Sequence, residues 1–250
     1  MATLRPSQRL LTTDFPRVRC YPWPVEQPTP AGEQNLAATS WSVLAILSKR
    51  DELSGYDIKK VTEWGIRYIY WSPSFSQIYT ELKKLEKYGL VTSRLDHDNG
   101  ARSRRLYKIT EAGLDAVTTW ANEAPADPPV LKHSVVLRVL FGHLTNAERL
   151  KELLQEHVEY SDSLAKRAAI DAHGAEELDA WAYPRLALQW AAKYYAAERD
   201  LAEEMIKDID AADEAHRRSL VDADSLKPDP AFWREVERKV DRQQGDQSSA

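Results

Sequence analysis

The sequence predicts a mainly α chain with one small β-hairpin: three short helices and a ribbon come first, and two long amphipathic helices follow. Three observations carry this reading. Ile78, Leu82 and Leu85 recur at helical spacing between a capping Ser74 and a stop at Gly89. Strand-like residues flank Asp98-Asn99-Gly100, a turn signal. Apolar stripes over residues 150–168 and 186–209 persist for several helical turns.

The elements follow in order. Residues 1–35 form an extension whose Pro22–Pro30 arm is expected to be mobile. Thr39–Ser48 reads as a helix that buries Trp41, Leu44, Ala45 and Leu47. A second helix, Ser54–Glu63, opens with Ser54 and Asp57 at capping-box spacing and buries Ile58 and Val61. Trp64, Tyr68, Tyr70 and Trp71 come next and are expected to pack. The third helix is capped by Ser74 with Gln77, although Ser72 followed by Pro73 offers a competing start. One face of it packs, while Tyr79, Thr80, Lys83, Lys84 and Lys87 project from the rest.

Gly89 supplies a left-handed stop, and Leu90–Leu95 pairs with Leu106–Ile109 as a hairpin. The loop and second strand hold Arg102, Arg104, Arg105 and Lys108, a cluster suited to phosphates. A helix followed by a basic ribbon is the arrangement of a winged helix-turn-helix, and residues 36–123 suffice for one such domain. Thr110 caps a fourth helix that Pro125, Pro128 and Pro129 end.

Residues 131–213 read as an antiparallel helical dimerisation domain. An apolar segment, Val135–Leu144, precedes Thr145 as a helix cap, and the first stripe is Leu150, Leu153, Leu154, His157, Val158, Ser161, Leu164 and Ala168. The second is Leu186, Trp190, Tyr194, Leu201, Met205 and Ile209, with the Gly174 region as the connection. Stripes of that length need a partner, and a second copy of the chain supplies one. The expected interface residues are Leu153, Leu164, Leu186, Trp190, Tyr194, Leu201, Met205 and Ile209. Residues 214–250 form a tail with a short helix over Pro230–Arg242, on which Phe232, Val236 and Val240 repeat at four.

Charge sharpens the division. The chain carries −5 overall, yet from Ser74 to Lys108 eight Lys and Arg face four Asp and Glu. From Leu131 onward, 17 basic residues meet 24 acidic ones, so the acidity belongs to the C-terminal half. A local basic patch is what nucleic acid requires. Cys20 is the only cysteine, which excludes an intrachain disulfide and a cysteine-based zinc site. No apolar run approaches a membrane span and no signal-peptide pattern opens the chain, so a cytoplasmic, membrane-free protein is expected. The six His show no HExxH or paired-ligand spacing, and neither a Gly-rich phosphate loop nor a GxSxG motif is present. No metal, no cofactor and no catalysis are expected.

In their order, LSGYDIKK, WGIRYIYW, SQIYTELKKLEKYGLV, the basic wing and LYKITEAG resemble the PadR family of bacterial transcriptional regulators, specifically its long branch with a helical C-terminal domain. The resemblance covers Leu36 to Asp210. It implies a homodimeric winged-helix protein on double-stranded DNA with a pseudo-palindromic operator, usually a repressor and often released by a small aromatic effector. The expected DNA-binding residues are Ser74, Ser76, Gln77, Tyr79, Thr80, Lys83, Lys84, Arg102, Arg104 and Arg105, with Tyr79 placed on the DNA side by the resemblance. Trp120, Trp190 and Tyr194 are expected to line the effector site. Where the family commonly has proline after the recognition-helix tyrosine, this chain has Thr80. The alternative reading is a helical ligand-binding or protein-interaction module whose winged domain contacts protein.

Overall fold

A computed structural model describes residues 36–96, 104–126, 128–220, 231 and 233–239. The helices begin where side chains satisfy their free amides. Ser54 caps α2 (Gly55–Trp64): the Asp57 amide donates to Ser54 Oγ, and the Ser54 amide donates to Asp57 Oδ2 at 2.9 Å. Ser74 and Gln77 make the same reciprocal box at the start of α3 (Phe75–Lys87), so the Ser72-Pro73 start is not used. Thr110 caps α4 (Glu111–Glu123) by accepting from the Gly113 amide at 3.0 Å.

α3 stops as its sequence demands. Gly89 has φ +72°, its amide donates to the Glu86 carbonyl, and the Leu90 amide donates to the Leu85 carbonyl. This is a Schellman stop, which glycine reaches without a Cβ penalty. It turns the chain directly into β2 (Val91–Asp96), which pairs antiparallel with β3 (Arg104–Ile109) from Val91↔Ile109 to Asp96↔Arg104. The predicted turn at Asp98-Asn99-Gly100 lies outside the described residues.

The ribbon has a third strand that the sequence reading lacks. β1 (Leu53–Ser54) pairs with β3 through Leu53↔Tyr107 and Ser54↔Leu106, giving the order β1-β3-β2. Two residues are too few to show alternation. Burial also departs from expectation in the first two helices. α1 (Ala38–Leu47) buries Val43, Leu44, Ile46, Leu47 and Ser40, whereas Trp41 and Ala45 are only half-buried. A helix covered on several sides has no single stripe to read. In α2, Ile58 and Thr62 are fully buried and Val61 is not, because the Thr62 hydroxyl donates to the Lys59 carbonyl at 2.7 Å and carries no unmet polarity inward.

Ile78, Leu82 and Leu85 are each 0% exposed, and at about 1.5–3 kcal/mol per buried side chain they seat α3 firmly. Ser40 of α1 donates a hydrogen bond to Glu81 of α3. Gly113 permits α4 to approach the α3–β2 turn, because a Cβ there would fall 2.1 Å from the Leu90 carbonyl oxygen.

The C-terminal half consists of α5 (Ser134–Leu140), α6 (Ala147–Gly174) and α7 (Ala182–Ser219). The α6 cap is Asn146, whose side chain accepts from the Arg149 amide at 2.9 Å, and not Thr145. α6 and α7 form an antiparallel hairpin. At one end Leu150, Leu154, Val158, Ala202 and Ile209 cluster with Met205 and with Val139 of α5. Toward the other, Ala168, Ala172, Leu188 and Ala191 surround Tyr68, with Leu164 and Tyr195 alongside.

Met205, Ile209 and Leu164 pack within the hairpin's own core, and Leu153 is buried. In the other predicted positions, Leu186 is 60%, Trp190 54% and Leu201 58% exposed. The predicted stripe merges two faces: over about seven turns, a period of four drifts around a helix that repeats every 3.6 residues. Residues 231 and 233–239 are helical, and the rest of the predicted Pro230–Arg242 helix lies outside the described residues. The described residues from Thr39 onward make one compact unit. Among them, no helix is long and apolar enough to cross a membrane.

Candidate nucleic-acid interface

The outward face of α3 is built by the burial of its inward face. With Ile78, Leu82 and Leu85 inside, the helix exposes Ser74, Ser76, Gln77, Tyr79, Thr80 and Lys83, and Lys84 is half-exposed. The Ser74 and Ser76 hydroxyls lie 3.0 Å apart, and the Thr80 hydroxyl donates to the Ser76 carbonyl at 2.8 Å. Thr80 thus sits in unbroken helix. Tyr79 is less free than the sequence implied: its ring rests over Gly55 at the start of α2.

The ribbon carries Arg104 and Arg105, both exposed, on β3, the strand that pairs with β1 and β2. Their charges are not equally available. Arg104 Nε donates to Asp96 Oδ2 at 3.0 Å, within an ion pair whose acid is nearly buried. Arg105 Nη1 donates to the Ser93 hydroxyl at 2.8 Å, and that hydroxyl donates to Glu86 at 2.6 Å. Arg94 belongs to the scaffold, since it clamps Glu52 through two bonds of 2.8 and 2.6 Å. That hydrogen bond is the main reason the Glu52 carboxyl is held below its usual range. Arg102 lies outside the described residues.

The aromatic segment after α2 is where the ribbon unit joins the hairpin. Trp64 meets Trp181 edge to face at 4.8 Å. The buried Tyr68 hydroxyl donates to Asp171 at 2.7 Å and accepts from Arg67 at 2.8 Å, while the Tyr195 hydroxyl donates to the Tyr68 carbonyl at 3.0 Å. Burial first, and then the bond to Asp171, push the Tyr68 phenol up. Tyr70 and Trp71, expected to pack, stay exposed and stack on one another at 4.4 Å.

Beside this joint lies a cleft of about 480 Å³ lined by Lys60, Val61, Trp64, Ile170, Asp171 and Trp181, among others. None of the three residues expected to line an effector site reaches it. Trp120 stacks on Trp41 at 5.6 Å, and Trp190 stacks on Tyr194 at 5.2 Å. Trp64 and Trp181 are 117 positions apart, and no local pattern pairs them. Among the described residues, one group brings metal-ligand chemistry together: His133, His157 and Glu198. The expectation of no metal rested on local spacing, and these three come from separate elements.

Comparison with known proteins follows from this geometry. Residues 43–119 match the family model described as "Transcriptional regulator PadR-like family". The "Negative transcriptional regulator PadR" of Bacillus subtilis (strain 168) is 31% identical over 129 residues, 52% of this chain and 66% of that relative, just under two thirds of its length. The crystal structure of B. subtilis PadR in complex with operator DNA covers 68% of this chain and 98% of its own, with 24% identity and a TM-score of 0.58. The same protein in complex with p-coumaric acid covers the same shares, with 22% identity and a TM-score of 0.55. The Vibrio cholerae virulence activator AphA is 27% identical, covering 70% of this chain and 99% of its own, with a TM-score of 0.57.

Proposed function

We propose, from the match of residues 43–119 to the PadR-like transcriptional regulator family, that the protein is a homodimeric, sequence-specific DNA-binding repressor relieved by a small planar effector. The observation that carries it is the outward face of α3 together with the β3 arginines. Short polar side chains and Tyr79 at the helix start suit base edges, and Lys83, Lys84, Arg104 and Arg105 suit phosphates. The operator-bound structure of B. subtilis PadR supports the partner, and the name of that relative supports the sign of regulation. This reading places the protein in the cytoplasm.

A second copy of the chain covers the exposed Leu186, Trp190 and Leu201 of α7. The same surface continues through Leu137, Leu140, Phe141 and Leu144, all at least 49% exposed. The effector enters the cleft lined by Trp64, Trp181, Val61 and Ile170, whose volume and apolar walls fit one aromatic ring system. The p-coumaric acid complex of B. subtilis PadR supports that ligand class.

The test is footprinting on the chain's own flanking genomic DNA, with a transcriptional reporter. A two-fold dimer protects a pseudo-palindromic site with half-sites about one helical turn apart, or a multiple of it. Affinity falls by about 10³ or more between 50 and 200 mM salt for six to ten phosphate contacts. The reporter is silenced by the protein. Binding that ignores salt overturns the phosphate-gripping interface, and a reporter driven upward overturns the repressor sign.

A further inference from the structure

We propose that His133, His157 and Glu198 form a binding site for one divalent transition-metal ion of the zinc class. The three side chains reach one point from three elements: His133 from the N-cap of α5, His157 from α6 and Glu198 from α7. Their ligand atoms all lie within 4.8 Å of one another. Glu198 Oε2 is 3.1 Å from His133 Nε2 and 3.4 Å from His157 Nε2. Metal–ligand bonds of about 2.0–2.1 Å in tetrahedral array put neighbouring ligand atoms about 3.3 Å apart, so two edges of the polyhedron already stand at the right length.

The surroundings fit a site rather than a surface ion pair. The side chains of His133, His157 and Glu198 are 14%, 17% and 17% exposed. The Ser161 hydroxyl lies 3.3 Å from His157 Nε2. Two imidazoles and one carboxylate select zinc over calcium or magnesium, which take all-oxygen sets, and leave a fourth position for water or a further ligand. The contrasting pair, His173 with Glu176, lies on the surface near the end of α6 with its His side chain 82% exposed and, among the described residues, belongs to no such group.

His133 reveals what the ion would change. Its Nδ1 accepts the Val136 amide at 3.2 Å, so the neutral ring carries its proton on Nε2, facing Glu198. An ion at Nε2 moves that proton to Nδ1 and ends the cap bond, at a loss of about one order of magnitude in affinity. Metal binding therefore exchanges a hydrogen-bonded start of α5 for a coordinated one that ties α5 to α6 and α7.

The test is titration of the full chain with Zn(II) against a chromophoric chelator, and with Co(II), whose visible absorption reports the ligand geometry. One ion per chain is expected, with His157→Ala and Glu198→Gln each weakening binding by at least about a hundredfold and His173→Ala leaving it unchanged. His133→Asn keeps a capping side chain and removes the imidazole, so it loses metal without losing its circular dichroism. Zn(II) at about a hundredfold excess over its dissociation constant raises the thermal midpoint of the unmodified chain by about 5 °C or more. No Zn(II) or Co(II) uptake overturns the proposal, as does uptake that survives in both His133→Asn and Glu198→Gln. The three residues would then be a hydrogen-bonded seam.

Discussion

The ring of Tyr79 covers Gly55 so closely that a methyl group on that glycine would fall 2.6 Å from Cε1 and Cζ. Tyr79 of α3 is thereby aimed by the first residue of α2. Because only the far end of a side chain obstructs, Gly55→Ala displaces Tyr79 and leaves the fold nearly intact. We expect a stability change within about 1 kcal/mol and a shift in preferred operator sequence, read by binding selection. Unchanged sequence preference would remove Tyr79 from base readout.

Gly113 provides the opposite case, because its obstruction is the Leu90 backbone itself. Gly113→Ala cannot be absorbed by a rotamer change, and a loss of about 2 kcal/mol or more is expected in urea unfolding. A near-neutral result would mean that α4 can slide away from the α3–β2 turn.

The two wing arginines should separate in salt titrations. Arg105→Ala removes a cation that, among the described residues, is held by a hydroxyl, so the salt slope of operator binding flattens by about one unit. Arg104 already shares its charge with Asp96 through Nε, and Arg104→Ala should flatten the slope by less. Equal effects would show that the Asp96 pair opens freely on DNA.

Assembly divides along α7. Trp190→Glu and Leu201→Glu place charge on the exposed face and should yield monomers by sedimentation at low micromolar concentration. Ile209→Ala lies inside the hairpin and should lower stability by about 2–5 kcal/mol while the remaining folded protein stays dimeric. Dimers that persist in both Glu variants would move the interface to another surface.

The Tyr68 joint predicts an alkaline limit. Its folded-state pKa is raised above the unfolded value of about 10, so the folded chain holds that proton more tightly. The associated stability is fully present below pH 10 and declines as pH climbs through the folded value. Tyr68→Phe should make this alkaline decline shallower, and it should cost about 1–3 kcal/mol at neutral pH because Asp171 loses a donor. An unaltered alkaline profile would assign the decline elsewhere, with Tyr195, raised chiefly by burial, the next group to examine.

Local signals were the legible ones. Both capping boxes, the Gly89 stop and the Ile78–Leu82–Leu85 face depend on residues within a few positions of one another, and each stands as read. What escaped depends on residues brought together from afar. β1 exists because β3, some fifty residues later, offers it an edge. The Trp64–Trp181 contact and the His133–His157–Glu198 cluster arise only when α6 and α7 fold against their neighbours. The α7 stripe reads as a single face in the sequence, whereas its apolar residues lie on two.

α7 runs 38 residues without a break, and its one proline, Pro184, lies in the first turn, where no amide is missed. At 1.5 Å per residue the helix is about 57 Å long. Such a rod acts as a lever: tilting it by about 4° at the Trp181 end carries the far end sideways by about 4 Å.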